Sequence, residues 1–143
     1  MEAAIRVSVV LLAYLSKKFD QRGVDHRRLF ELRPWYKLVP DQSVIAAGQG
    51  EGADHVRAAR AEDGGFVIAY LPTGKRVSIK MDKMTGKKVK ARWYDPREGT
   101  WRAIGEYANS GMREFVAPSQ GDRNDWVLVL DDAAKDYPTE RPK

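Results

Sequence analysis

The chain has 143 residues, with 25 Lys+Arg, 20 Asp+Glu, two His, no Cys and a formal net charge of +5. That length suits one domain of about 100–150 residues plus a tail or linker, and 43% hydrophobic with 10% aromatic residues is enough for a packed core. The lack of Cys excludes a disulfide scaffold, thiol nucleophiles and thiolate metal sites. With two His a His-built zinc site is not expected, and a His-dependent triad has only His26 or His55 to use.

The chain opens on its most apolar stretch, Val7–Leu15, about half of the ~20 residues needed to span a bilayer. No membrane span is expected. Ile5, Val9, Leu12 and Phe19 recur at helical spacing, and Lys17, Lys18 and Asp20 close the far end, which predicts an amphipathic helix. A signal-peptide core is the alternative, although Glu2 and the Lys17-Lys18 pair sit where such a leader tolerates neither. Gene-start or vector-derived sequence is a third reading. After Gly23, Asp25 can cap a second short helix carrying Leu29, Phe30 and Leu32, which Pro34 ends. Residues 33–40 read as extended, and Gly48–Gly52 as a flexible connection.

From His55 the texture changes to short β-rich runs between turns. Strands are predicted over 56–61, 66–71, 75–81, 87–94, 100–106, 112–116 and 126–130. The turns between them include Glu62–Gly65, Pro72–Gly74, Asp95–Gly99 and Asn109–Gly111, and Asp82–Gly86 reads as a turn or a single helical turn. The fold class is therefore mainly β: an antiparallel β-sandwich of about seven strands preceded by one or two N-terminal helices. The expected divisions are an N-terminal helical segment over 1–40, a linker over 41–54, the sandwich over 55–132 and a flexible tail over 133–143.

The charge is uneven. Residues 75–92 hold eight basic and one acidic group, net +7, so the rest of the chain carries −2. A uniformly basic nucleic-acid binder does not look like this, and no nucleic-acid partner is expected. Alternation puts Val77, Ile79 and Met81, and then Val89, Ala91 and Trp93, on the core face. Arg76, Lys80, Lys88, Lys90 and Arg92 fall on the outer face, and would share one surface if the two strands pair as a hairpin around Asp82–Gly86. Such a patch suits a polysaccharide or other acidic polymer. The plainer reading is a solvated face that keeps strand edges apart. Trp35, Trp93 and Trp126 read as core, whereas Tyr94 and Trp101, flanking the Asp95–Gly99 turn, are the best candidates for exposed stacking rings.

No Gly-x-Ser-x-Gly, phosphate-binding loop or dinucleotide fingerprint occurs. No catalytic residue, cofactor or metal is assigned. A Ca²⁺ bound by Gly121–Asp125 is a weak alternative, because that loop lacks the acid count of an EF-hand. The one enzymatic arrangement the composition allows is a carboxylate pair, with Glu62/Asp63, Asp95/Glu98 and Asp122/Asp125 as candidates. Each lies in a turn, where Asp commonly bonds its own backbone.

Several blocks resemble a known family. They are Arg33–Gln42, Arg57–Gly64, Ala69–Gly74, Ala91–Gly99 with its Trp-Tyr-Asp-Pro, and Asn124–Asp131. Over residues 27–132 the chain is similar to the end of the catalytic barrel and the C-terminal domain of apiosidase-like bacterial glycoside hydrolases, also called collagenases. That C-terminal domain bears a collagen-binding label. The resemblance implies a β-sandwich accessory module and makes residues 1–40 the remnant of a barrel end. It brings no catalytic residue, because the family's carboxylates lie on the barrel. It also suggests an exported protein, without a convincing signal peptide here. Three functions follow as expectations. The first is a non-catalytic module binding polysaccharide or matrix polymer, or bracing a barrel. The second is a small glycoside hydrolase using turn carboxylates. The third is an oligomeric assembly protein, dimerising through apolar surface around Val9–Leu12, Trp35 and Leu38.

Overall fold

The computed structural model describes residues 32–34 and 37–139. The two N-terminal helices and the leader-like run expected before residue 32 lie outside the described residues, as do Trp35 and the Val9–Leu12 part of the expected dimer surface. Nine strands follow: β1 (Leu38–Pro40), β2 (Ile45–Ala47), β3 (Arg57–Ala61), β4 (Phe66–Leu71), β5 (Gly74–Lys80), β6 (Lys88–Asp95), β7 (Thr100–Ala108), β8 (Met112–Gln120) and β9 (Trp126–Asp132). Among the described residues the only helical pieces are three-residue 3₁₀ turns. The count is nine, not about seven, because residues 38–47, which the sequence splits between helical segment and linker, contribute β1 and β2. At three residues each, they are too short to show a period.

All strand pairs are antiparallel. One sheet has six strands in the order β1-β3-β4-β9-β6-β7 and the other three in the order β2-β5-β8. Between them lies a core to which both contribute: Val77, Ile79 and Phe115 from the small sheet, and Leu71, Val89, Trp93, Trp126 and Leu128 from the large one. The alternation predicted for β5 and β6 is what buries Val77, Ile79, Val89, Ala91 and Trp93. Trp93 and Trp126 meet edge to face at 6.3 Å, so both tryptophans are core, as their apolar contexts predict.

The central strands of the large sheet behave differently. Every residue of β4 and of β9 is buried. Phe66-Val-Ile-Ala-Tyr-Leu71 and Trp126-Val-Leu-Val-Leu130 are unbroken rather than alternating because both faces of this sheet are covered. A second apolar cluster, with Leu38, Phe66, Ile68, Tyr70, Tyr94, Val127 and Val129, covers its outer face. Leu38, expected as exposed dimer surface, is buried there on β1 opposite Ala61.

The largest departure concerns β5 and β6, which do not form a hairpin. β5 pairs with β2 and β8, and β6 with β7 and β9, so the chain crosses from one sheet to the other between them. Met81 and Met84 carry the crossing, and both are buried in the core. A hairpin loop would leave them in water; two apolar residues three apart on a 3₁₀ turn lie on one side of it and anchor it inward. Downstream, β8 runs past Val116 through Pro118. This is tolerated because β8 is an edge strand, and its register against β5 shifts between Gly74↔Gln120 and Arg76↔Val116. The residues expected to fray after 132 include Tyr137, whose ring packs edge-on against Phe66 at 5.7 Å.

Candidate functional site: two unlike outer faces

The sheet crossing separates the predicted cations. Arg76 and Lys80 lie on β5, on the outer face of the three-stranded sheet, while Lys88, Lys90 and Arg92 lie on β6, on the outer face of the six-stranded sheet. They therefore share no surface. Along β6 the outward residues pass from exposed Lys88 to half-buried Lys90 and Arg92 and then to Tyr94, which is 0% exposed. Tyr94 is not the exposed ring its position beside a turn suggests. It packs 5.0 Å from the half-buried Trp101.

What closes this face is a cluster that no sequence pattern marks. Arg33 is 4% exposed and forks onto Asp131 of β9: Nε donates to Oδ1 at 2.9 Å and Nη2 to Oδ2 at 2.6 Å. Its third nitrogen, Nη1, donates to the Pro138 carbonyl at 3.2 Å. The guanidinium also lies 5.1 Å from the Trp101 ring and 5.6 Å from that of Tyr137. Arg92 Nη1 reaches the same Asp131 carboxylate and the Tyr137 carbonyl, each at 3.3 Å. The approach to the sandwich, β9, β6 and the segment that follows β9 thus converge on one buried carboxylate. Arginine suits this because its planar fork matches both carboxylate oxygens at once. The sequence signal was faint: an Asp closing an apolar strand and an Arg before a proline, 98 positions apart.

The outer face of the small sheet is the opposite in character. Arg76 stands opposite Val116, Ser78 opposite Glu114 and Lys80 opposite Met112. Met112 is 71% exposed and Val116 58%; they are the exposed large hydrophobics among the described residues.

The turn carboxylates are engaged in the fold. Asp95 is buried and accepts from the Arg97 backbone N–H at 2.8 Å and from Arg97 Nε at 3.1 Å, fastening the β6–β7 turn. Buried Asp125 accepts from the Tyr70 hydroxyl at 3.0 Å. Asp63 accepts from Lys37 Nζ and from the Gly65 N–H, both at 2.9 Å, and these bonds hold its carboxyl below the usual range. Asp54 is held low by Lys75 and Thr73. At Asp41, partial burial pushes the carboxyl up, but hydrogen bonds from Ser43 and Arg60 outweigh it and the net shift is downward. Each candidate pair therefore has one member committed to a turn or core contact. His55 lies with Nδ1 3.4 Å from the Gly50 carbonyl oxygen, and His26 is outside the described residues. Among the described residues no three His, Cys, Asp or Glu side chains gather as metal ligands, and no helix is long and apolar enough to cross a membrane.

The described residues thus form a two-sheet antiparallel sandwich whose larger sheet is apolar and buried on both faces. A family model described as "Putative collagen-binding domain of a collagenase" matches residues 39–131, and the chain belongs to that family. Two solved structures are similar to it. One, titled a glycoside hydrolase, has 34% sequence identity and a TM-score of 0.72 over 78% of this chain and 25% of its own. The other, a glycoside hydrolase family 5 protein from Bacteroides vulgatus, gives 34% identity and a TM-score of 0.72 over 78% of this chain and 24% of its own. The chain thus spans about a quarter of the length of these relatives. No curated protein matches it.

Proposed function

We propose that the chain is a non-catalytic accessory module related to glycoside hydrolases, which binds a polysaccharide or matrix polymer. The observation that carries this reading is the coverage: the sandwich corresponds to a quarter of larger glycoside hydrolase chains and to a domain family named for binding. The commitment of Asp63, Asp95 and Asp125 to turn and core contacts supports it over the small-hydrolase alternative. The outer face of the large sheet is already buried within the chain around Arg33 and Asp131, which leaves the outer face of the small sheet, where Met112 and Val116 are exposed, to face a polymer. The experiment is a pull-down on insoluble neutral and acidic polysaccharides and on fibrillar collagen. Retention on at least one polymer is expected; passage through all of them contradicts the reading.

A further inference from the structure

We infer that the binding face of this module is the outer face of the three-stranded sheet, and that its ligand is an extended, carboxylate-bearing polysaccharide of the polyuronate class. The inference rests on the accessory-module reading and gives it a surface and a ligand chemistry.

The opposite face of the sandwich is not available, because Phe66, Tyr94, Val127 and Val129 are buried there. On the small sheet Arg76, Ser78 and Lys80 of β5 stand beside Val116, Glu114 and Met112 of β8 on one face. Same-face residues along a strand lie about 6.6 Å apart and neighbouring strands about 4.8 Å, so Arg76 and Lys80 are separated by roughly 13 Å along the sheet. Cations outnumber acids two to one among these residues: Arg76 and Lys80 against Glu114. The Arg76 side chain is 68% exposed, and its ion pair with Glu114 is long, at 3.9 Å, so its fork is free to turn toward a ligand carboxylate. Met112 and Val116 add apolar surface directly across the strand. Cations in alternation with exposed apolar side chains and a hydroxyl match a chain of pyranose rings, each with a carboxylate on its rim and an apolar ring face. A purely ionic face would not need Met112 and Val116, and a purely apolar one would not need Arg76 and Lys80.

Affinity electrophoresis of the whole chain in gels cast with alginate tests this, with dextran and gelatin gels as comparisons. Retardation in alginate is expected, weakening as salt is raised, with none in dextran. Arg76→Glu/Lys80→Glu should cut apparent affinity by about tenfold or more, since each reversal turns an attraction into a repulsion. Met112→Ser/Val116→Ser should weaken it about three-fold or more. All four side chains point off the outer face, so unfolding midpoints close to wild type are expected and confirm that each variant folds. Lys88→Glu, on the other sheet, should leave retardation unchanged. The proposal is overturned if alginate does not retard the chain, if gelatin or dextran retards it equally, or if Lys88→Glu matters as much as the β5 pair. Binding with indifferent β5 and β8 variants overturns the face and leaves the accessory reading standing. Release of reducing ends overturns the accessory reading itself.

Discussion

Arg33 and Asp131 show how much one pair of side chains can decide. Removing one partner of a buried, hydrogen-bonded ion pair leaves an uncompensated charge, which costs about 3–5 kcal/mol. Arg33→Ala leaves the Asp131 carboxylate with Arg92 at 3.3 Å, so an effect toward the lower end of that range is expected in urea titrations. Arg33→Lys should recover only part of the loss, because an ammonium cannot fork onto both oxygens or lie flat between Trp101 and Tyr137. The surface carboxylates give a smaller effect of definite sign. Asp41, Asp54 and Asp63 are held below their usual value, so the folded state binds their protons less readily than the unfolded one. Their contribution is complete above the unfolded value of about 3.9 and is lost as the pH falls through the lower folded values. Stability should therefore drop on acidification below about pH 4. Asp63→Asn should flatten that drop slightly, because the Asp63–Lys37 pair is more than a third exposed and screened by solvent.

At the scale of elements, the strands were legible where pattern and burial agree. β4 is recovered residue for residue, and the inward sets of β5 and β6 follow from period two. Strand partners were less legible. Asp82–Gly86 has the composition of a hairpin turn, but whether two strands pair or pass to opposite sheets is decided by the apolar residues around the turn, here Met81 and Met84. Met81→Ala discriminates between the two. At a solvent-facing hairpin it would cost a few tenths of a kcal/mol; in a buried crossing it should cost about 2–5 kcal/mol in a chemical denaturation midpoint. Another sheet crossing, from β4 to β5, depends on Gly74, which has φ +69° and no room for a Cβ beside the Ser119 carbonyl. Gly74→Ala should destabilise by more than about 1 kcal/mol on the same assay.

At the scale of the whole molecule, the two outer faces divide the charge between them. The +7 block is real in the sequence but is divided in space. Arg76 and Lys80 stay outward on the small sheet, Lys90 lies 3.6 Å from Asp136, and Arg92 is drawn into the Asp131 cluster. Alternation gives the face of a side chain within its own sheet and says nothing of which sheet that is. Arg33 was invisible as a site residue for a related reason, since its partner is brought to it only when the sheet is complete. The measurement that bears most directly on the accessory-module account is a time course on a polymer that retains the chain, reading the bound protein fraction and the polymer's length distribution in the same sample. A constant bound fraction on a polymer of unchanging length is predicted. Progressive shortening of the polymer, with protein released as it shortens, would contradict the account.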